Sequence, residues 1–217
     1  MAGATDSALS ADRARALQLI PVSRETAARL DRFVELLLRW QTKTNLVAPS
    51  TLDTLWTRHI ADSLQLLALA PDARIWVDLG AGAGFPGLVL ASALADSPGA
   101  VVHLVESNSK KAAFMREAAR QMGVAAEVHV VRIEDFAGNL KVTPDVVTAR
   151  ALAPMKALLE LAFPLLKTGA KGLFLKGQDV DAELTEASKY WNVEANLVPS
   201  KTESQSRIVV VHGLQRR

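Results

Sequence analysis

The stretch Val77-Asp78-Leu79-Gly80-Ala81-Gly82-Ala83-Gly84-Phe85-Pro86-Gly87 constrains this chain more than any other. Residues Ile75 to Leu79, apolar apart from Asp78, read as a short buried strand. A glycine-rich turn follows. Pro86 then falls where the first turn of a helix tolerates a missing N–H, and the apolar run Leu88 to Leu94 continues that helix. Strand, glycine turn and helix together form the phosphate or nucleotide cradle of α/β folds. Glycine lets the backbone approach a ligand and adopt φ > 0.

The glycines alone do not choose the ligand. Gly82-x-Gly84-x-x-Gly87 satisfies the dinucleotide pattern, and Glu106 stands roughly 20 residues downstream, where a ribose-binding acid belongs. A nicotinamide-dependent (NAD) oxidoreductase is therefore one reading. In that register, however, the first glycine does not directly follow the strand; Gly80 does. Asp78 also sits two residues before Gly80. A carboxylate there would repel a pyrophosphate but could meet an ammonium group. A ligand with an ammonium, a ribose diol and an adenine suits both acids, and S-adenosyl-L-methionine is such a ligand.

Composition narrows the chemistry. The 217 residues suffice for one α/β domain with an appendage, and 49% apolar residues supply a large core. The absence of cysteine excludes disulfides and thiolate metal sites. It also argues against pyrimidine C5 methylation, which needs a cysteine nucleophile. A net charge of +2 and a pI near 9.0 are permissive of RNA without demanding it. No apolar run approaches the ~20 residues of a membrane span, and no secretory h-region is evident. The expectation is a soluble, cytoplasmic monomer without metal.

Asp78-Leu79-Gly80-x-Gly82-x-Gly84 followed by Glu106 resembles the class I methyltransferase signature. The longer string Gly80-Ala-Gly-Ala-Gly-Phe-Pro-Gly-Leu resembles the RsmG (GidB) family, which methylates N7 of a guanine in small-subunit (16S) ribosomal RNA. Trp40-Gln-x-Lys43-x-Asn45-Leu46 and Arg58-His59-Ile60-Ala61-Asp62-Ser63 are similar to the family's stretches at these places. The resemblance implies an α/β fold with a seven-stranded, mostly parallel, Rossmann-like sheet, helices on both faces, and an N-terminal helical appendage. Residues 1–72 would form the appendage and residues 73–217 the cofactor-binding domain.

The hydrophobic pattern fits that outline. Residues 1 to about 21 are rich in Ala, Ser and Arg and read as a loose end. Ser23 is an N-cap for a helix to about Gln41. A second regular helix spans about Thr51 to Ala70, with His59 on its apolar face and Arg58 paired with Asp62 on its polar face. Strands are expected at 75–79, 101–106, 127–132, 145–150 and 170–176, alternating with helices at 109–122, 153–166 and 179–188. An antiparallel pair at 191–197 and 207–212 ends the pattern.

Ligands bind at the carboxyl ends of strands in such sheets. Asp78 and the backbone of Gly80, Gly82 and Gly84 would hold the methionine part of the cofactor; the plain structural alternative is a glycine turn with Asp78 capping the helix. Phe85 packs on the cofactor or staples the helix start. Glu106 would accept hydrogen bonds from the ribose diol, or else sits at a helix N-terminus. The resemblance assigns Ile133 and Glu134 to the adenine, with Asp135 a neighbouring competitor; the plain alternative is a solvated acidic loop. Arg150, at the end of the fourth strand, would meet a guanine edge, a phosphate or the cofactor carboxylate; the alternative is a salt bridge to Asp145 or Glu134. Arg58, Lys171, Lys176, Lys201 and Arg207 are candidates for an RNA phosphate rim. His103, His129 and His212 lie on separate strands without metal-like spacing and are expected to bind no ion.

Overall fold

The computed structural model describes residues 2–139 and 143–217. Its centre is a seven-stranded sheet of order β3-β2-β1-β4-β5-β7-β6. The strands are β1 (Ile75–Leu79), β2 (Val101–Val105), β3 (Ala126–His129), β4 (Val146–Arg150), β5 (Lys171–Lys176), β6 (Trp191–Pro199) and β7 (Arg207–Arg216). β1 to β5 run parallel, and β7 enters antiparallel between β5 and β6. The chain steps outward from β1 to β3, then returns to lay β4 on the other side of β1. That reversal opens a crevice at the carboxyl ends of β1 and β4, where α/β sheets take their ligands.

Alternation along the strands explains the two cores. Trp76, Leu104 and Val146 face one layer, and Val77, Val105 and Val147 face the other. The first layer holds α2 (Arg24–Gln41), α4 (Gly87–Leu94) and α5 (Ser109–Met122); the second holds α6 (Ile133–Ala137) and α7 (Met155–Leu166), with α8 (Val180–Ala187) beside α7. Ser23 caps α2 by accepting the Thr26 N–H at 3.1 Å. Gly123 ends α5 in the left-handed conformation at φ +65°. The first core is continuous across residue 72: Leu30 and Phe33 of α2 belong to one cluster with Trp76, Leu88 and Phe114.

Four features depart from expectation. Residues Ala2–Leu19 form a helix, α1, where a loose end was expected. It is tied down by the buried Asp12, whose carboxylate accepts the Thr57 N–H at 3.0 Å and hydroxyl at 2.6 Å. The expected regular helix after Thr51 is broken into a 3₁₀ stretch (Pro49–Thr54), a π turn (Trp56–Ala61), one α turn, α3 (Asp62–Leu64), and a second 3₁₀ stretch (Gln65–Leu69). Arg58 and Asp62 do not pair. Arg58 meets Glu203 at 3.6 Å, and Asp62 turns instead toward Arg150. Finally β3 stops at His129, where its partner β2 ends at the opposing Val105; Val130 and Val131 are exposed.

Candidate active site

The carboxyl ends of β1, β4 and β5 open into a cleft of about 750 Å³. The π turn closes one side and the β6–β7 loop another. The floor is the glycine loop. Gly80, Gly82 and Gly84 all take positive φ, at +66°, +58° and +87°. A Cβ at Gly84 would stand 2.5 Å from Leu88 Cδ1, whereas at Gly82 the nearest atom is the Gly80 carbonyl oxygen at 3.8 Å. The loop is thus closed below and open above Gly82.

Asp78 holds this loop from beneath. The residue is 1% exposed, and its carboxylate accepts the Gly87 N–H at 2.9 Å and the Thr148 hydroxyl at 3.1 Å. Burial raises its pKa from 3.8 to about 7, against the opposing pull of those two hydrogen bonds. The structure therefore places Asp78 under the loop and not on the cleft surface, because the N-terminus of α4 and the Thr148 hydroxyl already occupy both oxygens. Glu106 grips the loop from the side, accepting the Gly82 N–H at 3.0 Å and the Asn108 N–H at 2.7 Å.

Arg150 lies over the cleft. One guanidinium nitrogen is 3.9 Å from the Asp62 carboxylate and donates to the Arg58 carbonyl at 3.3 Å. The guanidinium carbon stands 5.2 Å from the centre of the Phe85 ring. The alternative ion pair with Asp145 or Glu134 is not made; Asp145 instead accepts the N–H groups of Arg74 and Ile75. Phe85 is itself packed between Phe33, at 5.1 Å, and the His59 ring, stacked at 5.0 Å. His59 Nε2 pairs with the Thr51 hydroxyl at 2.9 Å, while its buried Nδ1 has no hydrogen-bond partner among the described residues. Burial, helped by the nearby Arg150 and Arg58, pushes the His59 pKa down to about 3, so the ring is neutral.

Asp62, which the sequence pattern pairs with Arg58 on a polar helix face, faces the cleft and Arg150 instead. Burial raises its pKa, opposed by the Thr202 hydroxyl, which donates at 2.8 Å, and by Arg150. Gln65 Nε2 donates to the same carboxylate at 2.8 Å. Asp62 thereby joins the broken helix, the β6–β7 loop and the β4 end at one point. Its signal in the sequence is faint, since Thr202 lies in a loop whose position follows only from the antiparallel pairing of β6 with β7.

The cleft lining includes Gly80, Gly82, Phe85, Arg150, Arg58, Lys176 and Arg207. It does not include Asp78, Gly84, Glu106, Ile133, Glu134 or Lys201. Lys176 is largely spent internally, 2.5 Å from Glu183 and donating to the Ala153 carbonyl at 3.0 Å. Lys171 opens β5, so five residue steps of about 3.3 Å separate it from the cleft end of that strand; it is not part of a rim there. Ile133 is buried under α6 and Glu134 is exposed on it. Arg15 and Lys111 also line the cleft, and neither was marked by any motif.

Sheet order, reversed β7 and a glycine loop at the end of β1 define a class I methyltransferase fold. A putative O-methyltransferase from Klebsiella pneumoniae shares it with a TM-score of 0.61 at 14% identity, over 96% of this chain and 99% of that one. A mutant of MtNAS in complex with S-adenosylmethionine shares it with a TM-score of 0.56 at 19% identity, over 94% and 77% of the two chains. The family model of rRNA small subunit methyltransferase G (GidB) matches residues 26–209. A ribosomal RNA small subunit methyltransferase G from Bradyrhizobium sp. (strain BTAi1 / ATCC BAA-1182) is 62% identical over 96% of this chain and 94% of its own length. One from Nitrobacter hamburgensis is 61% identical over 96% of this chain and 80% of its own. The chain belongs to the rRNA small subunit methyltransferase G family, which leaves the nicotinamide reading without support.

Proposed function

We propose that the chain transfers a methyl group from S-adenosyl-L-methionine to N7 of a guanine in the 16S RNA of the small ribosomal subunit. The observation that carries this reading is the juxtaposition, in one cleft, of the open glycine loop and the Asp62-held Arg150. Family membership supports an RNA substrate, and the exposed Arg58 and half-exposed Arg207 at the rim suit its phosphates.

The residues present fit such a cofactor. Space above Gly82 admits a ligand against bare backbone. The Glu106 carboxylate, with two backbone donors already on it, keeps acceptor capacity for a ribose diol. Asp78 contributes by shaping the loop whose backbone would receive the methionine part. Ile133 and Glu134 are the adenine-side residues of this reading.

Bound there, S-adenosyl-L-methionine would supply a methyl group on a cationic sulfur. Guanine N7 offers a lone pair and has no proton to lose, so the chain needs no general base. Its task is to bring N7 in line with the methyl carbon. Arg150 presents N–H donors suited to guanine O6 or a phosphate. It belongs there and not against N7, where a cation would oppose the attack.

The test is labelled methyl transfer onto small subunits from a strain lacking the gene, followed by strand cleavage specific for N7-methylguanine. One labelled guanine and one cleavage position are expected. Label without such cleavage would assign the methyl group to another atom.

A further inference from the structure

A second cluster of donor atoms lies at the edge of the sheet, outside the cleft. β3 is one of the two edge strands and pairs with β2 in parallel, with His103 opposite Glu127 and Val105 opposite His129. Side chains two apart on a strand share a face, so Glu127 and His129 stand on the side to which His103 points. The histidines lie on separate strands without metal-like spacing in the sequence, and His103 and His129 meet because those two strands are neighbours in register. His103 Nδ1 is 3.1 Å from His129 Nε2 and 3.4 Å from a Glu127 carboxylate oxygen. His129 Nε2 is 3.9 Å from that same oxygen. His212 stands apart, 3.2 Å from Asn196.

We propose that His103, Glu127 and His129 form a site for one divalent transition-metal ion of the zinc class. Around a tetrahedral zinc ion, with bonds of ~2.0–2.1 Å, ligand atoms are spaced about 3.3 Å apart. The three observed separations bracket that value. Two imidazoles and a carboxylate are ligands zinc accepts, with the fourth position open to water. His103 is 6% exposed and closes the site from below, while Glu127 is exposed and leaves an entry path. The Phe136 ring, 4.8 Å from that of His129, walls one side.

The ion would clip the edge strand to the body of the sheet. The His129 carbonyl also accepts the Glu106 N–H at 3.1 Å, so the clip lies one hydrogen bond from the acid assigned to the ribose. The alternative is a His103–His129 hydrogen bond with no ion.

Tag-free, full-length protein is treated with chelator and titrated with Zn²⁺ by calorimetry and with Co²⁺ by visible absorption. One equivalent should bind, and Zn²⁺ should raise Tm. His129→Gln and Glu127→Gln, both changes at positions that reach solvent, should each weaken binding by about tenfold or more and abolish the rise in Tm. His212→Gln should bind as the unaltered protein does. Absence of a stoichiometric ion, or unaltered affinity in both ligand variants, would overturn the assignment in favour of the hydrogen bond alone.

Discussion

Arg150 is fixed by contacts from two other parts of the chain: the broken helix, through Asp62 and the Arg58 carbonyl, and the glycine loop, through the Phe85 ring. Arg150→Ala should reduce methyl transfer to small subunits by the ~1–3 kcal/mol of a lost base or phosphate contact, about 5- to 150-fold. Cofactor affinity in calorimetry should change far less; an equal loss in both would place Arg150 on the cofactor instead. Asp78 makes a prediction with a definite sign. Its pKa rises from 3.8 to about 7 on folding, so between those values the folded state holds a proton that the unfolded state has released. Its contribution to stability is fully present below about pH 4 and is lost as pH rises to about 7. Asp78→Asn should remove that fall from the pH dependence of urea unfolding across the same window, and an unchanged slope would contradict it. The sequence marked Arg150 and Asp78 because both end strands, and strand ends follow from local hydrophobic pattern. It could not mark what each side chain faces. Asp62 and the His103–Glu127–His129 cluster depend on which strands and loops become neighbours, which no local pattern encodes.

Among the elements, the glycine loop was legible as a bare turn between strand and helix, since glycine spacing reports backbone conformation directly, but the place of Asp78 beneath it was not. Its individual glycines are not equivalent. Gly82→Ala meets no close atom and should cost about the 1–2 kcal/mol of a left-handed alanine. Gly84→Ala adds a 2.5 Å clash with Leu88 at the start of α4 and should cost more stability in urea unfolding. The reverse order would mean that the loop is not built as described. The stretch Pro49–Leu69 was legible as helical but not as broken. Its apolar spacing matches a continuous helix; the break into a π turn depends on Asp12 engaging Thr57 and on the β6–β7 loop engaging Asp62. α1 escaped notice for a related reason: its alanine-rich composition shows no marked apolar stripe, and it is held by the buried Asp12, the Arg13–Asp31 pair and the packing of Ala16 in the core.

At the scale of the whole molecule, strand–helix alternation predicted the parallel sheet, and the reversal between β3 and β4 places the crevice beside the glycine loop. The helices before β1 then form one wall of that crevice and share its core, so the cleft is built from both ends of the chain. All of the proposed chemistry presupposes that this crevice receives an adenosyl sulfonium. Calorimetric titration with S-adenosyl-L-methionine and with its demethylated product is the direct measurement. The prediction is one site per chain, weakened or lost in Gly84→Ala, and no heat with a nicotinamide dinucleotide. No binding of either adenosyl compound by folded protein would contradict it.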